Sequence, residues 1–251
     1  MSSTTPPSRR SDVHLTHLSH ALDLARKSPP KPTNFRVGCV IVSYPPPADT
    51  TTTGTVLSTG YTLELDGNTH AEQCALSKLA HSHGLEDESR LHELGGEGGL
   101  LAGANNVTLY TTLEPCGLRL SGNKPCVERI IETRKKSGGG GGGGGGGIAR
   151  VIFGAREPGT FVRDSKSLQR LDAEGVPWEY VHGLEDEILS VAMEGHDTNT
   201  KTATDNADAS HTAPEAGSAT TARGIVDISP EERRRQESLP RNPKKRMMET
   251  V

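Results

Sequence analysis

His70-Ala71-Glu72 and the later pairs Pro115-Cys116 and Pro125-Cys126 put one imidazole, one carboxylate and two thiols in the same chain. An imidazole and two thiolates are a donor set that suits Zn²⁺. Three protein ligands leave the fourth tetrahedral position for a water, whose pKa the metal lowers to about 7. A carboxylate that does not bind the metal is then available to take and return protons. These residues predict zinc as the cofactor, His70, Cys116 and Cys126 as its ligands, and Glu72 as the catalytic proton shuttle. On a regular helix, positions i and i+2 point about 200° apart, which would keep Glu72 off a metal held by His70. Helix N-termini favour thiolates, so strand–helix junctions are expected at the cysteines. Cys39, in an apolar strand, and Cys74, on an apolar helix stripe, are expected in the core instead.

These residues need elements to hold them. Leu15, Leu18, Leu22 and Ala25 are spaced as on a helix from Ser11 to the stop at Ser28-Pro29-Pro30. Phe35 to Val42 reads as a buried strand in which Gly38 permits close approach of a ligand or neighbouring backbone. Val56 to Tyr61 reads as a second strand, and His70 opens a helix with Ala71, Cys74, Ala75 and Leu79 inward, ended by Gly84. Val107 to Leu113 is a strand running straight into Glu114-Pro115-Cys116. A helix from about Pro125 turns Val127, Ile130 and Ile131 inward. Ala149–Gly154 and Trp178–Val181 read as strands, and Ser165–Ala173 and Glu185–Glu194 as helices. The alternation predicts a layered α/β domain with helices on both faces of one sheet.

Domain organisation follows composition. Only 32% of the 251 residues are hydrophobic and 3% aromatic. Residues 1–10 are Ser/Thr/Pro-rich and expected to be disordered, 11–197 form the zinc-dependent domain, and 198–251 are a mostly disordered tail, with one short helix over Pro230–Leu239. Flexible insertions are expected at 43–54, 84–104 and 135–147, the last holding ten consecutive glycines at 138–147. The net charge of −4 gives no basic surplus of the kind that accompanies a nucleic-acid footprint. Arg233-Arg234-Arg235 and Lys244-Lys245-Arg246 are interspersed with acids, which argues against a nuclear signal or an RNA contact. No apolar run approaches the roughly 20 residues of a membrane span, and no apolar leader opens the chain. A reducing, cytoplasmic compartment is expected, with the nucleus as a second location. Without a secretion signal, the four cysteines argue for metal binding over disulfides.

The zinc motif matches the His-x-Glu and Pro-Cys signature of nucleobase deaminases, except that nine residues, Gly117 to Pro125, separate the cysteines. The chain resembles the fungal riboflavin-pathway pyrimidine deaminases of the cytidine deaminase-like superfamily. The likeness rests on Asn34-Phe35-Arg36-Val37-Gly38-Cys39-Val40-Ile41-Val42, on His70-Ala71-Glu72, on Thr112-Leu113-Glu114-Pro115-Cys116 and on Gly117 through Cys126. Gly154-Ala155-Arg156-Glu157-Pro158-Gly159-Thr160-Phe161-Val162 adds to it. The resemblance implies a three-layer α/β/α sandwich on a five-stranded mixed sheet and a homodimer. It implies hydrolytic deamination of 2,5-diamino-6-ribitylamino-4(3H)-pyrimidinone 5′-phosphate, with Asn34 hydrogen-bonding the pyrimidine. Arg119 and Lys124, in the loop the cysteines anchor, and Arg156, after the fourth strand, are candidate contacts for the phosphorylated chain.

Two other functions fit the zinc motif. A nucleotide or tRNA-base deaminase would use the same chemistry, but typically carries a two-residue cysteine gap. A non-catalytic zinc scaffold would usually close its site with a fourth protein ligand, and the intact Glu72 argues against it.

Overall fold

The computed structural model describes residues 7–44, 53–135, 146–158 and 166–196, with side chains from Ser11 onward. The expectations for the extreme N-terminus, for most of 43–54 and 135–147, for 159–165 and for the 198–251 tail lie outside the described residues.

Strands β1 (Gly38–Ser43), β2 (Thr55–Tyr61), β3 (Thr108–Leu113), β4 (Arg150–Ala155) and β5 (Trp178–Tyr180) form one sheet ordered β2-β1-β3-β4-β5. β1 is antiparallel to both neighbours, whereas β3, β4 and β5 are parallel, so the sheet is mixed. Helices α1 (Pro7–Ala25) and α5 (Glu185–Ala192) cover one face; α2 (Ala71–Ser82), α3 (Cys126–Glu132) and α4 (Ser167–Ala173) cover the other. This is the three-layer α/β/α sandwich on five mixed strands that the resemblance implied. β1 and β3 are buried along their whole length, as expected of strands covered on both faces. Among the described residues, no helix is long and apolar enough to cross a membrane.

Two glycines set how closely helices sit on the sheet. A Cβ on Gly38 would lie 1.8 Å from the Ala21 carbonyl oxygen of α1, so the close approach anticipated there is to neighbouring backbone. A Cβ on Gly60 would lie 2.3 Å from the Ala71 carbonyl oxygen and 2.5 Å from the Ala75 nitrogen. Gly60 therefore seats the first turn of α2, next to His70 and Glu72. Gly60→Ala is expected to destabilise by about 2 kcal/mol through overpacking, read as a lower urea midpoint at unchanged slope. An unchanged midpoint would mean that α2 does not need this seat.

The 84–104 segment departs from the expected flexible connection. It folds into two 3₁₀ stretches, Glu88–Gly95 and Gly103–Asn105, and buries Leu91 and Leu101 fully in the core against α2 and α3. Glu88 accepts a 2.7 Å hydrogen bond from Ser77 Oγ of α2 and pairs with Arg129 of α3. The segment thus ties together two helices that begin at candidate metal ligands. Its apolar residues are too sparse to give a helical period, which is why composition alone reads it as loose.

Candidate active site

The carboxyl ends of β2, β3 and β4 and the amino end of antiparallel β1 lie along one edge of the sheet. In open α/β sheets, ligands bind outside the carboxyl ends of the strands. The loops leaving this edge carry the candidate residues. His70 is the N-cap of α2, at φ −89° and ψ 159°. It is outside the helix, so the separation of His70 from Glu72 comes from this extended turn and not from the angular step of a regular helix. Cys116 follows the end of β3, and Cys126 is the first residue of α3.

His70 Nδ1 lies 3.5 Å from Cys116 Sγ and 3.5 Å from Cys126 Sγ, and the three donor atoms fall within 4.8 Å of one another. Zn–N and Zn–S bonds of about 2.1 and 2.3 Å at a tetrahedral angle separate nitrogen from sulfur by about 3.6 Å. The donor set fits zinc in chemistry and in spacing.

The two thiols share protons unequally. Cys116 is held below the usual thiol range by the hydrogen bond from Cys126, with His70 helping, while that same partnership and burial push Cys126 up. The Cys126 backbone N–H, at the start of α3, donates to Cys116 Sγ at 3.4 Å. The helix N-terminus thus supports the neighbouring thiolate as well as carrying its own cysteine. Cys126 Sγ donates to Glu72 Oε2 at 3.3 Å. Glu72 is 3% exposed, and burial, reinforced by Cys116, raises its pKa above the ordinary carboxylate value. Cys39 and Cys74 are fully buried and unbridged, and burial pushes the Cys39 thiol well up. The core packing expected of both is what the structure has.

Around these groups is a cavity of about 150 Å³, lined by Asn34, His70, Glu72, Cys116 and Arg119 among others. Asn34 Nδ2 donates to Asn68 Oδ1 at 2.7 Å, and Thr33 Oγ1 donates to Asn34 Oδ1 at 2.8 Å, so the amide is fixed in orientation. Arg119 is buried and donates to the Asn68 carbonyl at 2.6 Å and to Gln73 Oε1 at 3.2 Å, stapling the inter-cysteine loop to the start of α2. Lys124 and Arg156 are not brought into the lining. Lys124 pairs with Glu132 of α3, and the half-exposed Arg156 pairs with Glu114 at 3.3 Å.

Leu118, Leu120 and Glu157 line the cavity without having been singled out from sequence. Of the neighbours Arg156 and Glu157, it is Glu157 that lines the cavity. The available signal was its position two residues past a parallel strand, at the edge where the metal ligands gather. Glu157 Oε2 is buried without a hydrogen-bond partner among the described residues. Burial, with Cys116, Glu72 and Glu114 adding negative charge, pushes this carboxyl up to about 8.

The sequence profile of the cytidine and deoxycytidylate deaminase zinc-binding region matches residues 11–137, just over half of the chain. The chain belongs to this deaminase family. It is similar to the diaminohydroxyphosphoribosylamino-pyrimidine deaminase of Schizosaccharomyces pombe, with 29% identity over 183 residues, which are 73% of this chain and 36% of that protein. The chain therefore spans about a third of the length of that curated relative. Two crystal structures of Aspergillus oryzae Rib2 deaminase, as a C-terminal deletion mutant at pH 6.5, are also similar. One matches at 46% identity over 73% of this chain and 92% of that one, with a TM-score of 0.62. The other, in complex with DARIPP, matches at 46% identity over 74% and 92%, with a TM-score of 0.63. The deaminase fold and the family resemblance seen in the sequence agree with these likenesses.

Proposed function

We propose that the chain is a zinc-dependent aminohydrolase that deaminates 2,5-diamino-6-ribitylamino-4(3H)-pyrimidinone 5′-phosphate in riboflavin biosynthesis. The observation that carries this reading is the 46% identity to a fungal deaminase solved with DARIPP, over 92% of that C-terminally truncated chain. The convergence of His70, Glu72, Cys116 and Cys126 in one cavity supports it. Residues 11–197 would form the deaminase domain.

His70, Cys116 and Cys126 would hold the metal. When bound, zinc supplies a water acidic enough to serve as hydroxide at neutral pH. Glu72 is the group that carries protons. Its burial raises its proton affinity, which suits it to take a proton from the attacking water and pass it to the ring nitrogen, then to take the remaining proton of the added hydroxyl and pass it to the amine, which leaves as ammonia while the carbonyl forms. Asn34, with its amide orientation fixed by Asn68 and Thr33, pairs with the edge of the pyrimidine. The cavity is of the size that takes up one benzene-sized ring, which supports a reading with the ribityl phosphate chain at its mouth. There Arg119, with five N–H donors and two hydrogen bonds to protein, has donors left for the phosphorylated chain. Leu118 and Leu120, 52% and 61% exposed, stand beside it as apolar cover that limits water around the bound ring.

Metal dependence tests this reading. Protein stripped with a chelator is expected to release no ammonia from the ribitylaminopyrimidine phosphate and to regain turnover with one equivalent of Zn²⁺. Undiminished ammonia release by metal-free protein would overturn it.

A further inference from the structure

Glu157 is a half-buried acid that the chemistry above does not use. Its position is fixed by the sheet. β3 and β4 pair in parallel with Leu113 opposite Ala155, and the Glu114 N–H donates to the Ala155 carbonyl at 2.9 Å. Two residues beyond each end of that register stand Pro115 and Glu157, so Glu157 emerges beside the Pro115-Cys116 turn and lines the same cavity as Glu72. Its carboxyl makes no hydrogen bond among the described residues, and its Oε2 is closed off from solvent. Leaving such an acceptor unpaired is costly, by the full desolvation of the group. A polar group kept unpaired in a ligand cavity is matched by a donor on the ligand.

The substrate assigned above, on which this inference rests, has such a donor. The amine that departs is the one at position 2, because that carbon lies between two ring nitrogens as a cyclic amidine. The 5-amino group is on a carbon with no ring nitrogen beside it and stays. A cytosine ring lacks this group altogether.

We propose that Glu157 is a specificity-determining residue, whose carboxyl group accepts a hydrogen bond from the retained 5-amino group and so selects diaminopyrimidines over cytosine-type rings. The surrounding negative charge and burial, which favour the protonated acid, fit the same pairing: the acid offers a carbonyl acceptor and an O–H donor to an amine with N–H donors and a lone pair. The contact involves no bond making, so it acts on binding and orientation and leaves proton transfer to Glu72.

The test compares kcat/KM for the parent pyrimidine phosphate and for an analogue with hydrogen in place of the 5-amino group, in wild type, Glu157→Leu and Glu157→Gln. Using the ratio of the two substrates cancels any change in intrinsic reactivity. In wild type the ratio is expected to favour the parent by about 10- to 100-fold, the range of a hydrogen bond to a charged or strongly polar group. Glu157→Leu should lower that ratio at least tenfold, and Glu157→Gln, which keeps an acceptor, should hold it within about threefold of wild type. Neither variant should lower the melting temperature or zinc content, because each removes a half-buried ionisable group that makes no hydrogen bond among the described residues. The affinity for the deaminated product, measured by calorimetry, should fall in Glu157→Leu in parallel. Equal losses on both substrates, or a fall in melting temperature with an unchanged ratio, would overturn the inference while the proposed activity stood. Absence of turnover of the parent by wild type would overturn both.

Discussion

Glu72→Gln is expected to retain its zinc and lose about four orders of magnitude in kcat. The substitution keeps the size and shape of the side chain and removes its ability to carry a proton. Positioned acid–base groups contribute about 10²- to 10⁴-fold, and Glu72 is assigned two successive transfers, so the upper end applies. The fold should not suffer. Glu72 is fully enclosed, and an amide in its place removes a buried ionisable group, so the melting temperature should stay at or above that of wild type. Metal content should stay near one equivalent, since His70, Cys116 and Cys126 are untouched. Ammonia release and zinc analysis on the same preparation check this. A metal-replete variant with full turnover would remove Glu72 from the mechanism.

The second large effect is expected from Cys126→Ala. Cys126 is fully buried and opens α3, where alanine is an excellent helix former of similar shape, so local folding is preserved. The loss of one of three donors should leave the purified protein with little zinc and no turnover. It should also remove the metal's contribution to stability. A ligand held at a thousand times its Kd stabilises by about 4 kcal/mol, which for a domain of this size is a shift of roughly 10 °C in Tm. Chelator should therefore lower the wild-type melting temperature toward that of the variant and leave the variant where it is. A variant that kept zinc and remained chelator-sensitive would contradict the assigned ligand set. By contrast, Cys39 and Cys74 are core residues, and their conservative replacement should leave metal content unchanged.

Much of this site was legible because its signals are local. A proline fixes the backbone ahead of each ligand cysteine, and the apolar stripe Ala71, Cys74, Ala75 and Leu79 faces the sheet as its period requires. Strand and helix order followed from the same periodicities, with boundaries shifted by a few residues. The first strand, for example, begins at Gly38 and not at Phe35, and just before it the Arg36 N–H donates to the Ala192 carbonyl of α5 and not to a neighbouring strand. What sequence could not reach was pairing across space. Arg119 reads as a free cation in a polar loop, yet its guanidinium is half spent on Asn68 and Gln73. Lys124 and Arg156 have acids beside them that are 8 and 42 residues away in the chain. Glu88, in a segment of little apolar content, is held by α2 and α3 together. Glu157 is conspicuous only once the register of β3 and β4 places it by Cys116.

The substrate is decided by ammonia release from zinc-replete protein offered four compounds in parallel. These are the ribitylaminopyrimidine phosphate, its ribosylamino counterpart, CMP and a tRNA anticodon stem. Release is expected from the diaminopyrimidines, with the ribityl form favoured, and none from CMP or RNA. Turnover of CMP or RNA with neither diaminopyrimidine consumed would contradict the proposed substrate.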